Sequence, residues 1–230
     1  TYSEVILGLP SDSKEKFIDS VCGLIEADFN QVRMFTLMIL DGSDLATDAS
    51  RQKFKMKTRF RAVPRSFGVY KFMGRELPSV EIEEVCVEQE TLSLNDYIES
   101  RKFALTVTLF YNDKIFHELT QFLVGRGVQV SDWLKYVHSR LELFPQKLKE
   151  TYNSFTAETV TELAKSRDEL EKKIKTEPGL VQKYISGEVG NNVLFNTQAR
   201  IYLEVMKELH EVAFEAVRFF SGLDSACQDS

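Results

Sequence analysis

The stretch Tyr2-Ser3-Glu4-Val5-Ile6-Leu7-Gly8-Leu9-Pro10 constrains this chain more than any other. Val5, Ile6 and Leu7 form an apolar run that Gly8 and Pro10 close, which is the pattern of a short β-strand. A strand apolar on both faces suits a parallel sheet covered by helices. A helix follows, with Asp12 as its cap and Glu15 three residues on as a capping box. Phe17, Ile18, Val21, Leu24 and Ile25 fall on one stripe of it. A second strand is expected over Val32 to Leu40. Strand, helix, strand is a right-handed βαβ unit. In such units the loop after the strand carries the chemistry, here Gly8 to Ser13.

Residues 51–75 hold nine basic residues and no acid, and residues 76–100 hold eight acids and no base. From Lys53 to Arg61 the charges fall on every second residue, with Phe54, Met56 and Phe60 among the residues between them. Period two predicts a strand with one cationic face. One reading is a phosphate or nucleic-acid surface with interleaved aromatics. The other is a β-hairpin pairing the basic strand with an acidic one over Val80 to Val87. Cross-strand opposite charges favour that pairing by a few tenths to ~1 kcal/mol each. Adjacency and near-cancellation of charge favour the hairpin, and nucleic acid is not an expected partner.

After Leu92 the pattern is helical throughout. Ser93 caps a helix to about Asn112. Further helices are expected over Lys114 to Val124, Asp132 to Phe144, Pro145 to Lys175, Leu180 to Ile185 and Val193 to Phe220. Residues 222–230 read as a frayed end. The fold class is therefore α/β, the tail of an incomplete (β/α) barrel with a short hairpin, followed by an all-α region. The boundary falls near residue 90, giving domains 1–90 and 91–230.

The 29 basic and 35 acidic residues give no global reason to bind nucleic acid or anionic membrane. No apolar run approaches the ~20 residues a membrane helix needs. Cys22, Cys86 and Cys227 are odd in number and far apart. They fit free thiols of a cytoplasmic protein. His117, His138 and His210 sit one per helix, with no paired metal spacing. Neither a nucleophile motif nor a phosphate-binding glycine loop occurs.

Glu-Val-Ile-Leu-Gly-Leu-Pro (residues 4–10), followed by a small polar loop and a helix, resembles a late barrel strand of the radical S-adenosylmethionine (SAM) enzymes. Family members carry Gly-Glu-Thr where this chain has Ser11-Asp12-Ser13. Asp41-Gly42-Ser43-Asp44-Leu45 is similar to the family's Gly-Ser/Thr-x-Leu after the next strand. Arg59 to Gly68 and Glu81 to Arg101 look like the tail of the subgroup with an upstream cobalamin-binding domain. The resemblance covers roughly residues 1–110. It implies a parent enzyme that cleaves SAM reductively at a 4Fe-4S cluster for radical chemistry, with cobalamin-dependent methyl transfer as the subgroup's variant. The family's Cys-x3-Cys-x2-Cys ligand set is absent here, so this piece alone is expected to hold no cofactor and to be inactive.

Two positions also stand out from their own residues. Glu4 is the one carboxylate in the apolar strand, on the same face as Ile6 and Gly8. A buried carboxylate needs a partner; either it touches cofactor or substrate, or it bonds a neighbouring strand. Gly8 at the strand end either lets a ligand meet the backbone or makes a tight turn. The resemblance places Gly8, Leu9 and Pro10 against bound SAM. Because Thr1 opens directly into a strand, the partner expected first is the upstream part of the same protein. Without it, residues 1–10 or 32–40 present an edge that favours homo-oligomers. A nucleic-acid module and a non-catalytic helical interaction domain are the alternative functions.

Overall fold

The computed structural model describes residues 1–222; Cys227 and the frayed end expected beyond 222 lie outside them. The elements in chain order are β1 (Tyr2–Leu7), α1 (Lys14–Glu26), β2 (Gln31–Thr36), α2 (Asp48–Lys53), β3 (Lys57–Phe72), β4 (Arg75–Glu88), α3 (Leu94–Phe110), α4 (His117–Gly125), α5 (Val130–Ser139), α6 (Gln146–Thr161), α7 (Arg167–Thr176), α8 (Leu180–Ser186), α9 (Val193–Glu204) and α10 (Met206–Ser221). This is an α/β part followed by a helical region, as the sequence predicts. The two sheets are small and do not close into a barrel: β1 pairs in parallel with β2, and β3 pairs antiparallel with β4.

The βαβ unit forms from Tyr2↔Gln31 to Leu7↔Thr36. Only one face of it is covered. Leu7, Val32 and Thr36 are buried on the side where Phe17, Val21 and Ile25 of α1 pack. Each such apolar side chain contributes about 1.5–3 kcal/mol on burial. On the other face Ile6 is 41% and Phe35 48% exposed. The expectation of a strand buried on both sides is thus corrected. The second strand also ends earlier than expected, at Thr36. After it the chain turns to run beside β4, where Cys86 N donates to Leu37 O at 2.9 Å and Ile39 N donates to Glu84 O at 2.8 Å.

The charge blocks form a hairpin, longer than expected. Lys53 lies in α2 rather than in the strand, and β3 starts at Lys57. Met73 and Gly74, both at positive φ, make its two-residue loop. Right-handed strand twist favours such loops, and glycine takes that φ without strain. Lys57 pairs with Glu88, Arg61 with Glu83, and Lys71 with Glu76.

The helix α3 is the spine. Tyr97, Phe103, Leu105, Leu109 and Phe110 on its several faces are all buried. Ser93 caps it, and Asp96 completes the box by accepting from Ser93 N. One continuous apolar cluster runs from Leu7 and Phe17 through α3 to Trp133, Phe155 and Leu209. Two expected long helices are broken. The first stops at Thr161, because Ala164 exchanges backbone bonds with Phe60 of the hairpin at 2.8 and 3.0 Å. The second breaks at Val205, whose φ of −133° is not helical.

Candidate functional site

The open face of β1 and β2 carries Tyr2, Glu4 and Ile6 beside Arg33 and Phe35, in register. Arg33 stacks on the Tyr2 ring with its Cζ 4.5 Å from the centroid. Glu4 is exposed and makes no hydrogen bond or ion pair among the described residues. The expectation of a buried, paired carboxylate is therefore corrected: its face has no covering layer here, so water solvates it. The face combines the Tyr2, Ile6 and Phe35 side chains with one carboxylate and one guanidinium. That set suits a ligand with a flat apolar part and a cationic group.

The loop after β1 is held by local bonds to Asp12 and by long-range bonds from Gln89 and Thr91. Gly8 N donates to Asp12 Oδ2 at 3.1 Å, and Ser13 N donates to Asp12 Oδ1 at 2.9 Å. Asp12 is thus the loop's brace and not the helix cap. The cap of α1 is Ser13, which accepts from Lys16 N. Gln89 spans the loop from the far side. Its Nε2 donates to Leu9 O at 2.6 Å and its Oε1 accepts from Ser11 N at 3.1 Å. Thr91 Oγ1 donates to Asp12 O. Ser11 sits at φ +65°, a conformation costly for a residue with a Cβ and sustained by these bonds.

Gly8 has φ +93°, and a Cβ there would lie 3.4 Å from the Cys86 carbonyl oxygen and near Leu92. Turn geometry and packing against β4 account for this glycine; the space beside it is filled by the protein's own core. Leu9 is 42% exposed and Pro10 partly so. They stand at the carboxyl end of β1, next to the open face.

Sequence reasoning missed Gln89 and Thr91. They lie about eighty positions from their partners, and only the proximity of β4's end to β1's loop joins them. The strand's other edge is also open. Leu7 O accepts from Leu37 N and Thr1 O accepts from Asn30 N. Odd-numbered residues of β1 therefore face β2, and Tyr2, Glu4 and Ile6 direct their backbone groups away. A groove of about 700 Å3 lies there, lined by Glu4, Ile6, Leu9, Pro10, Lys16 and Leu24 among others.

No metal centre forms among the described residues. Cys22 and Cys86 are buried, and burial pushes both thiols up to about 11. Thiols held in that form are poor metal ligands. No described helix is long and apolar enough to cross a membrane.

No protein-family model matches the chain. The chain is similar to the cobalamin-dependent radical SAM methyltransferase TokK of Streptomyces tokunonensis, 28% identical over 124 residues. That match covers 54% of this chain and 18% of the relative, less than a fifth of its length. The chain thus has a distant similarity to a radical SAM protein.

Proposed function

We propose that this chain is the C-terminal part of a radical SAM enzyme, with cobalamin-dependent methyl transfer as the whole protein's reaction. The observation that carries this reading is the β1–β2 pair, parallel, covered by helices on one face and open on the other. That is the arrangement of two adjacent barrel strands with helices outside and a lumen inside. The distant similarity supports it independently.

In this reading Glu4, Leu9 and Pro10 border bound SAM, and Gly8 shapes the turn that presents them. Glu4 accepts hydrogen bonds from a cationic amine, while Ile6 and Phe35 receive a flat ring. SAM and a 4Fe-4S cluster supply the radical chemistry in the whole protein. The described residues offer no cluster ligand set, so the ligands belong to another segment. The upstream part of the same protein fits the groove along β1's open edge, whose backbone groups match an added strand.

The test is to read the coding sequence upstream of Thr1 and express the longer protein. A Cys-x3-Cys-x2-Cys motif there, and SAM binding that Glu4→Gln weakens, are expected. Absence of the motif, or SAM binding indifferent to Glu4 and Leu9 substitutions, overturns the reading. The nucleic-acid alternative has less support: Arg51, Lys55, Lys57, Arg61 and Lys71 each already contact a glutamate. A non-catalytic helical interaction domain has no feature that favours it over the open strand face.

A further inference from the structure

A charged group that the proposed reading does not use lies on the opposite edge of β2. Tyr97, Arg101 and Thr108 of α3, and Asn112 in the turn just after it, share the side that meets this strand. Tyr97 OH lies 3.3 Å from Thr36 Oγ1, and Asn112 bonds Val32. Arg101 lies between them and is only 7% exposed. Its Nε has no hydrogen-bond partner, and no carboxylate forms an ion pair with it among the described residues. The Phe155 ring lies 5.8 Å from its Cζ.

An arginine cannot shed its charge to relieve burial. A buried guanidinium without an anion is costly, and an anion that paired with it would offset that cost. Arg101 lines a cavity of about 100 Å3 between β2's outer edge, α3 and the start of α9. The other polar groups there are mostly spent. Asn112 is committed to Val32, and Gln198 donates to Asp113 Oδ2 at 2.7 Å at the exposed rim. Asn192 Oδ1 accepts from Leu194 N and Phe195 N. Thr108 Oγ1 donates to Ala104 O, and Arg33 Nε donates to Gln31 Oε1. The exposed Asp113 carboxylate also lines the cavity, and the donors left for an anion include the exposed Asn192 amide NH2 and the Arg101 guanidinium. Val32 aims both backbone groups at this side, so the alternation of the strand sends those of Met34 the same way.

We propose that this cavity binds the anionic end of a ligand, a carboxylate or a phosphate, paired with Arg101 and assisted by Asn192. The guanidinium fork matches two oxygens of either group. The volume admits that group and a few further atoms. The proposal stands on Arg101 and its surroundings and does not rest on the radical SAM reading.

The test is an NMR titration of this chain with sodium acetate and with sodium phosphate, at constant ionic strength set by sodium chloride. The Arg101 Nε–Hε signal, assigned by its loss in Arg101→Lys, is the readout. A saturable shift with one of the two anions is expected, and which anion acts tells carboxylate from phosphate. Arg101→Lys should weaken that binding at least tenfold, read at the Asn192 side-chain amide. Should that variant not fold, Asn192→Ser keeps the helix cap, removes the NH2 and should weaken binding severalfold. Shifts with neither anion beyond those with chloride, or binding unchanged in the folded variants, overturn the proposal.

Discussion

Asn112 grips Val32 by both of its backbone groups. Asn112 Oδ1 accepts from Val32 N at 3.0 Å and its Nδ2 donates to Val32 O at 2.9 Å. A side-chain amide from the turn after α3 here does the work of a neighbouring strand at β2's edge. Asn112→Ala leaves a buried N–H and C=O unpaired, at about 1–3 kcal/mol each. A stability loss of about 2–6 kcal/mol is expected in urea unfolding. A loss under about 1 kcal/mol would show that water takes over both bonds.

Gln89 should matter for the loop more than for the fold. Gln89→Leu removes both bonds to Leu9 and Ser11, with an expected global cost of about 1–2 kcal/mol. Amide exchange at Ser11 should accelerate well beyond that of the helices. Unchanged protection at Ser11 would mean that Asp12 alone holds the turn.

His138 makes stability pH-dependent. Burial lowers its pKa to about 4, with Lys102 and Lys14 adding to the fall and Glu99 opposing it. Its Nδ1 lies 3.0 Å from Thr106 Oγ1, which also meets Tyr152 OH. The unfolded chain binds this proton near the ordinary value of about 6.5 and the folded chain does not. Stability is therefore full above about pH 6.5 and falls as pH drops toward 4, by up to about 3 kcal/mol. Denaturation midpoints measured across that window should show the slope, and His138→Gln should flatten it.

The hairpin charges should be occupied. Arg61 reaches Glu83 at 2.6 Å and Glu162 at 2.7 Å, with its side chain 15% exposed. Removing one member of such a group costs about 3–5 kcal/mol, so Arg61→Met should destabilise strongly. By the same neutralisation, a gel shift with mixed-sequence DNA or RNA at moderate salt should show binding no tighter than ~10⁻⁴–10⁻⁶ M. Sub-micromolar binding lost on changing Lys55, Lys57 and Arg59 to Glu would favour the nucleic-acid function.

The free edge of β1 should drive association. Glu4 and Ile6 direct their backbone groups away from β2, and Ile6 is exposed. Proline at position 4 removes an outward N–H that the sheet does not use, and lysine at position 6 adds charge to the edge. Light scattering should show concentration-dependent association of the chain and a monomer for Glu4→Pro with Ile6→Lys. Association unchanged in that variant would place the contact elsewhere.

Local signals in the sequence determined a good deal. The Val5-Ile6-Leu7 run, the α1 stripe, the Ser93 cap and the opposed charge blocks specify βαβ, hairpin and helices, because each acts over a few residues or between adjacent segments. The tertiary structure alone decided what those elements meet. Whether Glu4 is buried depends on a covering layer, not on its own strand. That Gln89 spans the loop after β1, and that Asn112 serves as a surrogate strand partner for Val32, depends on contacts across about eighty residues that no periodicity encodes. The break at Ala164 exists because Phe60 claims its backbone. Nothing in the helical pattern of α3 marks Arg101; only the packing around it leaves the residue 7% exposed with its Nε unpartnered.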